Sequence, residues 1–291
     1  MRTRSSMLVF VASAVLLACS TPVMADDFHF TTGSPDGLIA TASRPAGPGI
    51  EIETGDDFLL SQETVLTSGS FTGLLPTRTD ASNIQNVVIE FYRVFPLDST
   101  TPPSNHVPTR NNSPSDLAFA TRDAQLGGLS FSVSSLGSFT VANSVINGIN
   151  PFPNQFTGGE GAISGAETEF TFDFLVPLDL AAGRYFFVPQ VQLLNGDFLW
   201  LSAPHPVGPG TDLQTWIRND NLSPDWLRVG TDITQQGPFN AAFSLNGSSV
   251  PEPASWLMML FGFCTLGSVL RRGRKSRMTR YARAALARSM T

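Results

Sequence analysis

The stretch ETEFTFDFLV, residues 167–176, decides how the middle of this 291-residue chain folds. Phe170, Phe172, Phe174 and Val176 fall on one face of an extended strand, and Glu167, Glu169, Thr171 and Asp173 on the other. Successive side chains of a strand point to opposite sides, so this segment lays one face on a core and the other in water. The same period of two recurs around it. Leu129, Phe131 and Val133 alternate with Ser130, Ser132 and Ser134. Val87, Ile89, Phe91 and Phe95 alternate with Val88, Glu90, Tyr92 and Val94, and Ala241, Phe243 and Leu245 share one side of 240–245. Further strands are expected at 50–53, 65–75, 139–142, 184–193, 198–202 and 226–229. Pro189 cannot donate to a ladder, which predicts an edge or bulged strand for 184–193. No stretch between 26 and 250 sustains a 3.6-residue period over three turns, and Gly and Pro punctuate the region throughout. Short strands with such turns predict an all-β fold, a single jelly-roll-like β-sandwich over residues 26–249. Two long linkers, 96–115 and 150–166, read either as binding loops or as plain solvated insertions.

The charge is unevenly placed. Of 18 basic residues, eight lie in 271–288, and Arg2 and Arg4 stand at the other end. Residues 26–250 keep eight arginines against 23 carboxylates, a formal charge of 8 − 23 = −15. A nucleic-acid partner needs clustered Lys and Arg on the folded part, so that class is excluded. The only cysteines, Cys19 and Cys264, lie in the terminal apolar segments, and 26–250 contains no lysine. Thiol and amine nucleophiles are therefore excluded from the middle region.

Both ends read as targeting segments. Arg2 and Arg4 precede an apolar run over 7–18, and Val23-Met24-Ala25 ends in a small residue just before Asp26-Asp27. This is the layout of a secretory signal spanning 1–25, with Ala25 the last residue before signal peptidase cuts. Leu16-Leu17-Ala18-Cys19 also resembles a lipobox, which would make a lipidated Cys19 the first residue instead. At the far end, Pro251-Glu252-Pro253 precedes seventeen uncharged residues, 254–270, and then Arg271, Arg272, Arg274 and Lys275. Seventeen helical residues rise about 25 Å, at the short end of what crosses a bilayer core. The basic cluster would stay on the cytoplasmic side and leave the 26–249 domain on the exported side.

Tripeptide, short apolar helix and basic cluster together resemble the PEP-CTERM sorting signal, here over 250–277. The resemblance implies a Gram-negative envelope, recognition by a membrane-embedded exosortase, and a temporary anchor in the inner membrane. The protein would be cut near 251–253 and passed to the surface or the medium, commonly alongside exopolysaccharide. One departure is the basic tail, 278–291, which continues beyond the usual end of such a signal. It reads as a cytoplasmic segment lying on an anionic membrane surface or as an extension discarded with the helix. The phrases ETGDDF (53–58), FTGL (71–74) and DWLRVG (225–230) also resemble a recurring group of exported bacterial β-rich proteins with this anchor. That second resemblance implies no activity.

Little catalytic chemistry is visible. His29, His106 and His205 have no neighbours at ligand spacing, and no G-x-S-x-G or P-loop occurs, so neither catalytic nor metal-binding residues are assigned. The nearest approach to a glycosidase motif is Glu167-Thr168-Glu169 with Asp173, which does not fit, although carboxylates from distant strands can still pair. Trp200, Trp216 and Trp226 lie near Asn219, Asp220, Asn221 and Asp225. Flat rings stack on sugars and the polar groups bond their hydroxyls; alternatively the tryptophans are core residues, as large aromatics usually are. The same oxygen-rich loop suits Ca²⁺, without EF-hand spacing. The expectation is an exported, non-enzymatic surface or matrix protein without a resident cofactor that associates with exopolysaccharide. Its alternatives are a glycoside hydrolase and a protein-binding adhesin or scaffold. The −15 domain repels anionic polymers, which favours a neutral glycan.

Overall fold

The computed structural model describes residues 26–47, 49–76, 81–149, 156–205 and 213–250, together with 262–264 and 267. The chain divides into two compact units, Met1–Val250 and Pro251–Thr291. Fifteen strands form among the described residues: β1 (Asp27–Thr31), β2 (Ile39–Ala42), β3 (Ile52–Leu60), β4 (Thr64–Leu75), β5 (Ile84–Arg93), β6 (Ala120–Asp123), β7 (Leu129–Val141), β8 (Asn143–Val145), β9 (Ile163–Leu180), β10 (Gly183–Leu193), β11 (Leu199–Ala203), β12 (Trp216–Asn219), β13 (Leu227–Arg228), β14 (Asn240–Ala241) and β15 (Phe243–Ser249). A 3₁₀ turn at Ala81–Asn83 and a π-turn at Val229–Ile233 are the only helical pieces described before residue 250.

The strands make two sheets. The larger has nine: β4 is flanked by β9 along its whole length and by β15 and then β11 on its other edge. Beyond these lie β7 on β9, β1 on β15, β2 and β14 on β11, and β8 parallel on β2. The smaller sheet runs β13-β12-β3-β10-β5-β6. Their facing surfaces enclose a core rich in phenylalanine, the arrangement of a β-sandwich. Phe71 and Phe170 stack at 4.9 Å, and Phe187 stacks on Phe172 at 5.8 Å and on Phe243 at 5.0 Å. Glycine makes room for these rings. A Cβ on Gly69 would stand 2.6 Å from Phe172, and one on Gly73 only 2.2 Å from Phe198.

The period-two reading holds for β9 as far as Phe174. Val176, expected inside, is 67% exposed, because the ladder with β7 begins at Leu129↔Phe174 and does not reach it. The expected Gly-rich loop up to 166 also ends earlier, since β9 starts at Ile163. Pro189 does not lie on an edge, because β10 sits between β3 and β5. Its missing N–H is accommodated differently: the β3 ladder stops at Phe187↔Asp56, and Ser43 takes over. The Ser43 hydroxyl donates to the Pro189 carbonyl at 2.6 Å, and Val191 N–H donates to the Ser43 carbonyl.

The outer face of the smaller sheet is covered rather than wet. Tyr92, Phe186, Val188, Trp216 and Trp226 form a second apolar layer there. The segment 96–115 lies against it, held by Arg110, which pairs with Asp116 and with Asp225. Thr100 and Thr101 N–H groups donate to Asp116, and Ser104 N–H donates to Asp225. This linker is therefore neither a free loop nor a loose insertion.

Three residues of the second unit that are described in sequence, 262–264, and Gly267 are helical. No helix among the described residues is long and apolar enough to cross a membrane. The expected helix over 254–270 lies almost wholly outside the described residues, as do Ala25, Pro251, Glu252, Pro253, Arg271, Arg272, Arg274, Lys275 and the tail 278–291.

Candidate functional site

The tryptophans do not form a surface platform. Trp200 and Trp226 have no exposed surface and Trp216 has 1%. Trp200 meets Phe187 and Phe243 edge-on in the main core and donates its indole N–H to the Ala242 carbonyl at 2.9 Å. Trp216 donates to Leu213, and Trp226 donates to Ser115 beneath the covering segment. No flat ring face is left for a sugar. The oxygens considered for Ca²⁺ are likewise engaged: Asn219 caps the N–H groups of Asn221 and Leu222, Asp220 accepts from Glu51 N–H, and Asp225 pairs with Arg110. Among the described residues, no three His, Cys, Asp or Glu side chains gather in a way that could hold a metal ion.

The covered face instead holds a closed ionic network. Arg218 on β12 reaches both carboxylate oxygens of Glu53 on β3, the Tyr92 hydroxyl at 3.0 Å and the Asp116 carbonyl at 3.0 Å. Its guanidinium lies 4.4 Å from the Trp226 ring and 5.3 Å from the Tyr92 ring. Burial works against this charge, but the Glu53 carboxylate outweighs it and holds Arg218 above its ordinary range. Tyr92 donates to Glu53 and is held neutral by burial and by that carboxylate. Glu90 lies 2.8 Å from the Tyr92 hydroxyl. Burial, then repulsion from Glu53, pushes its carboxyl up to about 7. Glu90, Tyr92, Glu53 and Arg218 are thus joined in one hydrogen-bonded chain, of which Tyr92, Glu53 and Arg218 are buried.

One site open to solvent is a groove of about 390 Å³ on the outer face of the larger sheet. Its lining includes His29 and Thr31 from β1, Ser70 and Thr72 from β4, Glu167 and Glu169 from β9, and Ser244 from β15, with Leu136 and the 33–35 turn also contributing. Strand register builds it. Thr31, Ser244, Ser70, Thr171 and Ser132 stand opposite one another across five strands, making one unbroken row of hydroxyls. A second row runs His29, Asn246, Ser68, Asp173 and Ser130, and a third sets Thr72, Glu169 and Ser134 side by side. Adjacent members are about 4.8 Å apart, the strand spacing. Ser70 and Ser244 share a 2.9 Å hydrogen bond, and His29 Nδ1 lies 2.7 Å from Asn246 Oδ1. Burial raises the Glu167 carboxyl above its usual range. Hydroxyls that donate and accept, next to carboxylates that only accept, suit a ligand rich in hydroxyl groups. Among the described lining residues no Arg or Lys offers a partner to an anionic ligand.

Glu167 and Glu169 stand on the wet face of their strand, as their alternation with Phe170 and Phe172 predicts. The groove itself is not visible in any one segment, since its other residues come from strands up to about 140 positions from these two. The outward Ser and Thr of 68–72, 130–134 and 244 were the local trace of it.

Asp26 and Val250, the two ends of the described part of the first unit, lie beside neighbouring strands of the larger sheet. β1 begins at Asp27 and pairs with β15, Asp27 opposite Ser248. Ser249 N–H donates to the Asp26 carbonyl at 2.8 Å, and Val250 N–H donates to the Glu63 carbonyl at 2.7 Å. The first residue after the expected signal and the last before Pro251 therefore lie on neighbouring strands. No curated protein and no solved structure matches this chain. Residues 249–275 match the PEP-CTERM protein-sorting motif, so the chain carries the signal of an exported protein that is processed by exosortase.

Proposed function

We propose that this chain is an exported, non-enzymatic protein of the cell surface or extracellular matrix that associates with a neutral polysaccharide through the groove of the larger sheet. The observation that carries the reading is the hydroxyl row Thr31–Ser244–Ser70, which lines an open groove with Thr72, Glu167 and Glu169 and continues along the sheet through Thr171 and Ser132. A hydroxyl-lined floor with accepting carboxylates bonds sugar hydroxyls, and a domain of charge −15 disfavours acidic polymers. The chain passes between the two sheets at most of its connections, which supports a jelly-roll-like path. Signal peptidase would cut after Ala25, and exosortase near Pro251–Pro253. Arg271, Arg272, Arg274 and Lys275 would hold the anchor in the inner membrane until that second cut.

The test is retention on the producing cells' own polysaccharide, compared with a neutral glucan and an acidic polymer. Ser70→Arg fills the groove and should lower retention at least tenfold with the melting temperature nearly unchanged. Equal retention of the variant would sink the groove. One observation favours a second reading: Glu167, raised by burial, stands near Glu169 on the same face of one strand, so one carboxyl could act as acid and the other as base. Release of reducing ends that Glu167→Gln or Glu169→Gln abolishes would establish hydrolysis in place of binding. Co-purification of a single protein partner, without retention on any polysaccharide, would favour an adhesin or scaffold.

A further inference from the structure

Strand edges are where sheets add further strands, and natural sheets shield them with short lengths, charges or proline. Most edges of this sandwich follow that rule. β1 has five residues with Asp27 and His29, β6 has four with Arg122 and Asp123, and β8, β13 and β14 have two or three each. β7 does not. It runs thirteen residues as LSFSVSSLGSFTV, with no charge and no proline. Among the described strands it pairs with β9 alone. Its ladder with β9 is regular from Leu129 to Ser135 and shifts register only between Ser135 and Gly137. Phe131 and Leu136 are exposed at 36% and 54%, although Phe131 stands opposite the core residue Phe172.

We propose that the regular half of β7 pairs antiparallel with β7 of a second copy, about a two-fold axis at Ser132, so that the two larger sheets become one continuous sheet. The register follows from the side chains. Centred on Ser132, the pairing sets Phe131 opposite Val133 of the second copy and Val133 opposite its Phe131. Cross-strand aromatic and β-branched pairs of this kind stabilise sheets. Ser130 and Ser134 then face one another on the polar side, and Leu129 faces Ser135. Charge selects a second copy at this edge and not elsewhere. The domain carries −15, so two copies repel over most of their surface, but β7 brings no charge to the contact. The nearest carboxylates, on β9, would stand three strand spacings from those of the second copy, about 14 Å, beyond the screening length of about 8 Å at physiological salt. The bulge after Ser135 ends the pairing and keeps the zipper short.

Disulfide trapping in producing cells tests this directly, because residues 26–250 contain no cysteine. The full chain carries Cys19→Ala and Cys264→Ser and is probed on non-reducing gels. Ser132→Cys places two thiols opposite each other, within the Cα separation of about 4.4–6.8 Å that a disulfide accepts. Ser134→Cys puts its own pair about 14 Å apart. The expected result is at least tenfold more covalent dimer from Ser132→Cys than from Ser134→Cys, lost when Phe131→Lys is added, since an inward-pointing charge blocks an edge. Both serines are exposed, so neither exchange threatens the fold. A Ser132→Cys chain that stays monomeric overturns the proposal, as does a Ser134→Cys chain that dimerises equally well.

Discussion

Replacing Arg218 by Met tests whether the ionic network holds the covering segment on the sandwich. In the folded chain Arg218 is 6% exposed and Glu53 4%. The exchange removes the paired bond to Glu53 and the bonds to the Tyr92 hydroxyl and the Asp116 carbonyl. It leaves a carboxylate without its counter-charge in a site where water does not reach. Removing one partner of such a buried pair costs about 3–5 kcal/mol. For a domain of about 225 residues, each kcal/mol moves the melting temperature by about 2–4 °C, so a fall of roughly 6–20 °C is expected. Calorimetry on the form released from cells measures it. Glu53→Leu combined with Arg218→Met removes both charges, and the pair should recover more than half of the loss, since apolar replacements of buried ion pairs are often close to neutral. A fall of under about 2 °C for the single exchange, or a double exchange whose losses simply add, would show that Arg218 and Glu53 do not hold the segment as a pair.

Other outcomes follow from the same geometry. Glu90 titrates near 7 in the folded chain against an ordinary 4.5, so folding favours its neutral form. That contribution is full below 4.5 and is lost as pH rises through 7, and Glu90→Gln should keep it. Calorimetry from pH 5 to 8 should show the wild-type melting temperature falling a few degrees more than that of Glu90→Gln. Gly73→Ala drives a Cβ to 2.2 Å from Phe198 and 2.7 Å from the Leu199 carbonyl, so it should cost about 2 kcal/mol or more in a denaturant titration. Trp200→Ala should cost about 3–5 kcal/mol and leave polysaccharide retention unchanged where the domain stays folded, because the ring lies in the core and not in the groove.

The sandwich was legible because its central strands alternate. Phe170, Phe172 and Phe174 point inward and Glu169, Thr171 and Asp173 outward, and a one-residue slip would reverse every one of them. The burial of Trp200 was legible too, from a different sign. Phe198-Leu199-Trp200-Leu201 does not alternate, and a short continuous apolar run marks a strand covered on both faces. Trp216 and Trp226 carried no such sign. Their burial depends on 96–115 returning across the smaller sheet through Arg110, Asp116 and Asp225, a contact between segments more than a hundred residues apart. The groove was hidden for a similar reason: each strand shows one or two outward hydroxyls, and only the register of five strands lines them up.

Export of the sandwich and its release from the sorting segment are the steps on which the proposed function depends. The intact mass of the protein from each fraction of the producing cells tests them most directly. A surface or medium form that begins at Asp26 and ends near Pro251–Pro253 is the expected result. A protein found only in the membrane fraction, and there still carrying Arg271 to Thr291, would contradict it.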